Sequence, residues 1–115
     1  MERKSIIDYS TFEEVDIRVG RIIDVSPFPE ARKPAYQLTI DFGPQLGVLH
    51  SSAQITTRYS RELLLGRLIV AVVNFLPKRI AGYSSEVLVL GVANSEGEVV
   101  LLAPDSDVLP GSPIY

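Results

Sequence analysis

The chain has no cysteine, which excludes disulfides, thiolate nucleophiles and cysteine-based metal sites. A chain without cysteine suits a reducing compartment. Histidine is almost as scarce. His50 is the only one, so no multi-histidine metal site can form, and a lone histidine at a strand end reads as structural. The phosphate-cradling patterns G-x-G-x-x-G and G-x-x-x-x-G-K-[ST] are missing. Asp16, Asp24 and Asp41 fall on alternating segments where carboxylates face solvent, and nothing pairs them for acid–base work. No apolar run approaches the roughly 18 to 20 residues that cross a bilayer. The opening MERKSIIDYSTFEE has two cations but neither the apolar core nor the small-residue cleavage site of a signal peptide. These absences predict a cytoplasmic protein that is not an enzyme and uses no cofactor or metal.

Basic residues are missing from one end. All eleven Lys and Arg lie in residues 1 to 79, whereas residues 80 to 115 hold five acids and no base. The net charge of −3 does not mark a strong polyanion binder, but this segregation allows one basic and one acidic face. What is present in quantity is apolar: 46% of 115 residues, enough for one domain with a real core.

The stretch 67–94 organises the rest. Leu68–Val73 and Val87–Ala93 are short runs rich in β-branched residues, predicted as buried strands. Between them Leu76–Glu86 is a polar loop with two cations, a tyrosine, two hydroxyls and a carboxylate. A loop anchored by core strands at both ends is a good place to build a binding surface.

In chain order, residues 1–10 read as a polar extension. Thr11 with Glu14 has capping-box spacing and predicts one helical turn. Val15, Ile17, Val19, Ile23 and Val25 then share one parity, so residues 15–25 form a long strand. Gly20 permits a bend or bulge within it, and Arg21 marks where it passes from one side of a barrel to the other. Residues 27–34 form a proline-stiffened loop, 36–42 a second strand, Gly43-Pro44 a turn and 48–52 a third strand. Residues 59–66 read as a short helix between Ser60 as N-cap and Gly66 as stop. Asn94–Gly97 is a hairpin turn before a strand over 98–102, and the proline-rich tail has no regular structure. Closing a barrel removes the edges that so many short strands would expose. The order predicts an all-β, five-stranded OB-fold barrel over 11–103, with the helix between strands 3 and 4 and extensions over 1–10 and 104–115.

Arg32, Lys33, Lys78 and Arg79 come from two loops that a barrel can bring together, with Tyr36, Phe75 and Tyr83 close in sequence. Cations beside aromatic faces suit single-stranded nucleic acid. The same mixture suits a peptide, with Gln54, Asn74, Ser84 and Ser85 bonding its backbone. Core packing is the ordinary use of Tyr36 and Phe75. Local ion pairing is the ordinary use of Arg18, Arg21, Arg58, Arg61 and Arg67.

FEEVDIRVGRI, PFPEARKPAYQLTIDFG, SSAQIT, LLGRLIVAVVNF, SSEVLVLGVA and VVLLAPD, over about residues 11–111, together resemble the CsaA family of export-related chaperones. That family belongs to a wider OB-fold tRNA-binding group. The resemblance implies a homodimer that binds unfolded polypeptide or preprotein segments without ATP, or tRNA, with the protein-export machinery as a further partner. Ile6-Ile7, Val108-Leu109 and Ile114-Tyr115 are the candidates for that dimer packing, with docking on their own barrel as the alternative. With the mixed apolar and polar loop, the CsaA-like SSEVLVLG run predicts a site lined by Arg32, Lys33, Gln54, Asn74, Phe75, Lys78, Arg79, Ser84, Ser85 and Glu86. The tRNA-binding relatives typically read Ser-Glu-Gly-Met where this chain reads Ser85-Glu86-Val87-Leu88. A β-branched residue in place of glycine restricts the backbone and fills space that a nucleotide needs.

Overall fold

The computed structural model describes residues 1–115. In chain order the elements are α1 (Tyr9–Glu13), β1 (Ile17–Pro27), β2 (Tyr36–Asp41), α2 (Gly43–Leu46), β3 (Val48–Ala53), α3 (Arg61–Leu64), β4 (Leu68–Val72), β5 (Lys78–Ile80), β6 (Tyr83–Ser85), β7 (Leu88–Val89), β8 (Gly91–Ala93) and β9 (Val99–Leu101). Five of these strands make one antiparallel sheet in the order β3-β2-β1-β4-β7. It curls into the nearly closed barrel expected of an OB-fold.

β1 serves two partners, and the exchange falls at Arg21. Its first half pairs β4 down to Arg21↔Leu68, and its second half pairs β2 from Arg21↔Asp41 onward. The bulge lies between Ile22 and Asp24 rather than at Gly20. One extra residue there inverts the parity, so Ile22 and Val25 are buried while Ile23, expected inside, faces solvent. Gly20 has a different task. A Cβ there would sit 2.6 Å from Ile40 Cγ2 and 2.7 Å from Phe42 Cε1, so glycine lets two core side chains lie across the strand. Ile22, Leu38, Ile40, Phe42, Leu64, Ile69 and Ala71 fill the barrel. Each large apolar side chain buried this way contributes about 1.5–3 kcal/mol.

β3 and β7 do not form a ladder, and the segment before β7 closes the gap between them. Glu86 N donates to His50 O at 2.8 Å, Ser52 N to Ser85 Oγ at 3.0 Å, and Ser51 Oγ to Val87 O at 2.9 Å. α3 starts as expected, with Ser60 Oγ accepting from Leu63 N at 3.3 Å, and Gly66 follows it at φ +81°.

Elsewhere local geometry departs from the pattern. The first helix begins at Tyr9, and Asp8 rather than Thr11 occupies its cap position, with Thr11 N donating to Asp8 O at 3.0 Å. The Gly43-Pro44 turn continues into the single helical turn α2, because proline is at home at a helix start. Residues 78–85 form the hairpin β5–β6 instead of an open loop. The run expected over 87–93 breaks at Leu90. β7 stays in the barrel, and β8 leaves to pair with β9. A Cβ at Gly91 would lie 2.7 Å from Val99 Cγ1, so this crossing depends on glycine. The tail has no helix or strand, yet it tracks β1. Gly111 N donates to Val19 O, Val19 N to Ser112 O and Ile114 N to Ile17 O.

Candidate functional site

Two loops meet where the sheet opens beyond the seam. One is the β1–β2 connection, with Arg32 and Lys33. The other is the β5–β6 hairpin, with Lys78 and Arg79. The hairpin turns through Ala81 and Gly82 at φ +47° and +83°, the two left-handed residues of a two-residue type I′ turn. This tight turn directs the strand that carries both cations toward the first loop.

The result is a groove with two lobes. The basic lobe, about 470 Å³, is lined by Glu30, Arg32, Lys33, Gln54, Lys78 and Arg79, among others. The apolar lobe, about 560 Å³, is lined by Ile55, Phe75, Leu76, Val87, Leu88 and Val89, among others, with Ser52, Gln54, Lys78, Ser85 and Glu86 as its polar members. Ser52, Gln54, Lys78 and Ile80 belong to both, so the lobes share a wall. Phe75 is 55% exposed, Leu76 93% and Leu88 50%, which leaves three large apolar side chains presented to solvent on one surface. Arg32, Lys33, Lys78 and Arg79 are all exposed, and none has a carboxylate within ion-pair distance. Arg79 does spend one N–H on Gly82 O at 3.0 Å.

Eight of the ten expected site residues therefore line one groove. Asn74 and Ser84 do not. Asn74 Oδ1 accepts from Asp16 N at 2.9 Å and its Nδ2 donates to Glu14 O at 2.8 Å, so the side chain fastens the segment before β1. Ser84 pairs with Arg79 across the hairpin. Ser85 and Glu86 line the apolar lobe, but both also hold the seam. Glu86 Oε1 accepts from His50 N at 2.9 Å and lies 3.1 Å from His50 Nδ1.

Of the three aromatics near the cations, only Phe75 is free to meet a ligand. Tyr36 packs on the core and donates its hydroxyl to Tyr59 O at 2.8 Å. Tyr83 lies edge-on to Phe28 at 5.4 Å and to His50 at 6.3 Å. Burial, with the nearby Glu86 charge second, pushes its phenol pKa upward. The remaining arginines take local roles. Arg18 pairs with Asp16, Arg21 with Asp107 and Arg61 with Asp24, while Arg58 and Arg67 lie 5.8 and 5.1 Å from the Tyr59 ring centroid. The sequence reading missed Leu76 and Leu88 as site residues. A leucine inside an otherwise polar connection was the available signal for the first.

Residues 17–113 match the family model described as "Putative tRNA binding domain". Among solved structures, the chaperone CsaA from Bacillus anthracis strain Ames is 50% identical, with a TM-score of 0.90 over 96% of this chain and 100% of that one. The CsaA chaperone protein from Picrophilus torridus is 52% identical, with the same TM-score and the same coverage. The methionine–tRNA ligase of Methanocaldococcus jannaschii is 31% identical over 98% of this chain, which spans only 17% of the ligase. A barrel of this topology, matched over 96% of its length by both CsaA structures and over residues 17–113 by the domain model, has one reading: the chain belongs to the tRNA-binding-domain family, in its CsaA branch.

Proposed function

We propose that the protein holds extended apolar stretches of unfolded or export-bound polypeptide in the two-lobed groove, as a homodimer and without ATP. The observation that carries this reading is Phe75, Leu76 and Leu88 exposed together on a concave surface beside hydrogen-bonding groups. Soluble domains ordinarily cover such side chains unless something binds there. Similarity to two CsaA chaperones over nearly the whole chain supports the same reading. Binding is passive, so the protein acts only at ratios near one site per client. At stoichiometric ratio it should suppress aggregation of a chemically unfolded client, and Phe75→Asp with Leu76→Asp should abolish the effect. Wild-type protein without any suppression would sink the proposal.

A second reading, tRNA binding by the basic side of the dimer, is favoured by the four cations without carboxylate partners and by the family match. Phosphate contacts release counterions, so this binding must weaken steeply with salt. Labelled bulk tRNA titrated at low and moderate salt, with unfolded polypeptide as competitor, separates the two. Salt-sensitive binding displaced by polypeptide places both ligands in the groove. No tRNA binding at low salt leaves the polypeptide reading alone.

A further inference from the structure

Resting on the polypeptide reading, we propose that the groove chooses its occupant by charge as well as apolarity. Its ligand is an extended segment carrying an apolar anchor with acidic side chains a few residues away. The basic lobe has four exposed cations and a single carboxylate, Glu30. In the apolar lobe the one carboxylate is Glu86, and its Oε1 is already engaged with His50 N and Nδ1. A bound chain therefore meets a net positive charge, four cations against two carboxylates.

The spacing follows from the chain itself. Phe75 and Lys78 are three positions apart and both line the apolar lobe, and Lys78 also lines the basic one. Three residues span at most about 11 Å. A client in extended conformation covers that distance in about three residues. An apolar side chain on Phe75 and Leu76 thus places a client position no more than about three residues away beside Lys78, and positions further along beside Arg79, Arg32 and Lys33. Asp or Glu there gains from the field. Lys or Arg there meets like charge. A segment whose apolar run is flanked by basic residues is disfavoured by the same geometry, however apolar its centre.

The test uses the full chain and three labelled short peptides with one shared apolar core, flanked by Asp/Glu, by Ser/Gln or by Lys/Arg. Exposed charge pairs are individually weak, so several acting together predict about a three- to tenfold gain for the acidic over the neutral peptide. The basic peptide should bind weakest, and raising salt should compress the order. Lys78→Glu with Arg79→Glu should reverse the order of the acidic and basic peptides. Arg32→Glu with Lys33→Glu, made on a separate loop, should do the same and decides the matter if the hairpin variant is misfolded by circular dichroism. Equal affinity for all three peptides overturns the charge selection and leaves polypeptide holding intact. An acidic preference unchanged in both charge-reversed variants overturns its assignment to these four cations. Failure to bind any of the peptides overturns both proposals together.

Discussion

One carboxylate fastens the seam of the barrel. Glu86 Oε1 takes the His50 amide at 2.9 Å and its own amide returns a bond to His50 O at 2.8 Å, so the two residues clasp each other across the gap between β3 and β7. Glu86→Ala strands a half-buried amide and should cost about 1–3 kcal/mol in urea unfolding. Glu86→Gln keeps an acceptor and should recover most of that. Equal losses in both variants would mean the charge, not the hydrogen bond, holds the seam. Tyr83 gives a second prediction at this scale. Its phenol is raised by burial and then by Glu86, so the folded protein keeps the proton at a pH where the unfolded chain has lost it. The sign is then fixed: this stabilisation is fully present below the ordinary tyrosine pKa of about 10 and is lost as pH rises through the folded value. The urea midpoint of wild type should therefore fall above about pH 10 more steeply than that of Tyr83→Phe. Parallel curves would remove Tyr83 from the alkaline transition. Neither role is legible in the sequence, because Glu86 and His50 are 36 positions apart and no local pattern joins them.

At the level of elements, alternation sufficed where strands were long and two-faced, as in β1 and β2, and Ser60 with Gly66 marked both ends of α3. It failed for the β5–β6 hairpin, whose three-residue strands are too short to show a period. Its turn also lacks the usual Asn-Gly signal, since Ala81 holds the first left-handed position at φ +47°. That mismatch is a prediction. Asparagine tolerates the left-handed region better than alanine because its short side chain hydrogen-bonds the local backbone, so Ala81→Asn should stabilise the protein by about 1 kcal/mol, read from the denaturant midpoint. A loss of stability would show that the added carboxamide finds no local hydrogen bond in this turn. The tail was unreadable for another reason: it joins β1 through backbone groups, which leave no trace in side-chain pattern. Gly111 makes this possible, at φ +92° and pressed against Phe42 O, while the facing Gly43 at φ +86° lies against Pro110 O. Gly111→Ala should cost about 2 kcal/mol or more and free the tail. Hydrogen exchange should then show faster turnover of the Val19 and Ile114 amides, which the tail contacts protect, while amides of the β2–β3 ladder stay slow. Unchanged protection at Val19 would detach the tail's order from Gly111.

Across the whole molecule, most of the acids and the groove's cations fall on different segments. Four of the five acids after Arg79 lie in the β8–β9 hairpin and the tail, where Asp107 takes up Arg21, and the groove's four cations stay without carboxylate partners. The apolar surface left over lies mostly on the two terminal segments. α1 buries no residue at all, Ile6 is 86% exposed and Leu109 80%, so neither segment is satisfied by its own barrel. A five-residue helix has too few hydrogen bonds to persist without packing. A second surface would steady it, and the proposed homodimer supplies one if the terminal segments of two copies cover each other. A stable interface of this kind buries about 1,200–2,000 Å² in total, a modest demand on a chain with 7932 Å² of surface. Sedimentation of the wild-type chain at micromolar concentration should give a dimer. Ile6→Asp with Ile7→Asp should shift it toward monomer, because each buried carboxylate would lack a partner. The groove is built within one barrel, so the monomeric variant should still bind an apolar peptide, with lower avidity for clients that offer two segments. A wild-type chain that sediments as a monomer at every concentration would leave α1 without its cover and refute the dimer. A monomeric variant that loses even single-segment binding would mean the second copy completes the site.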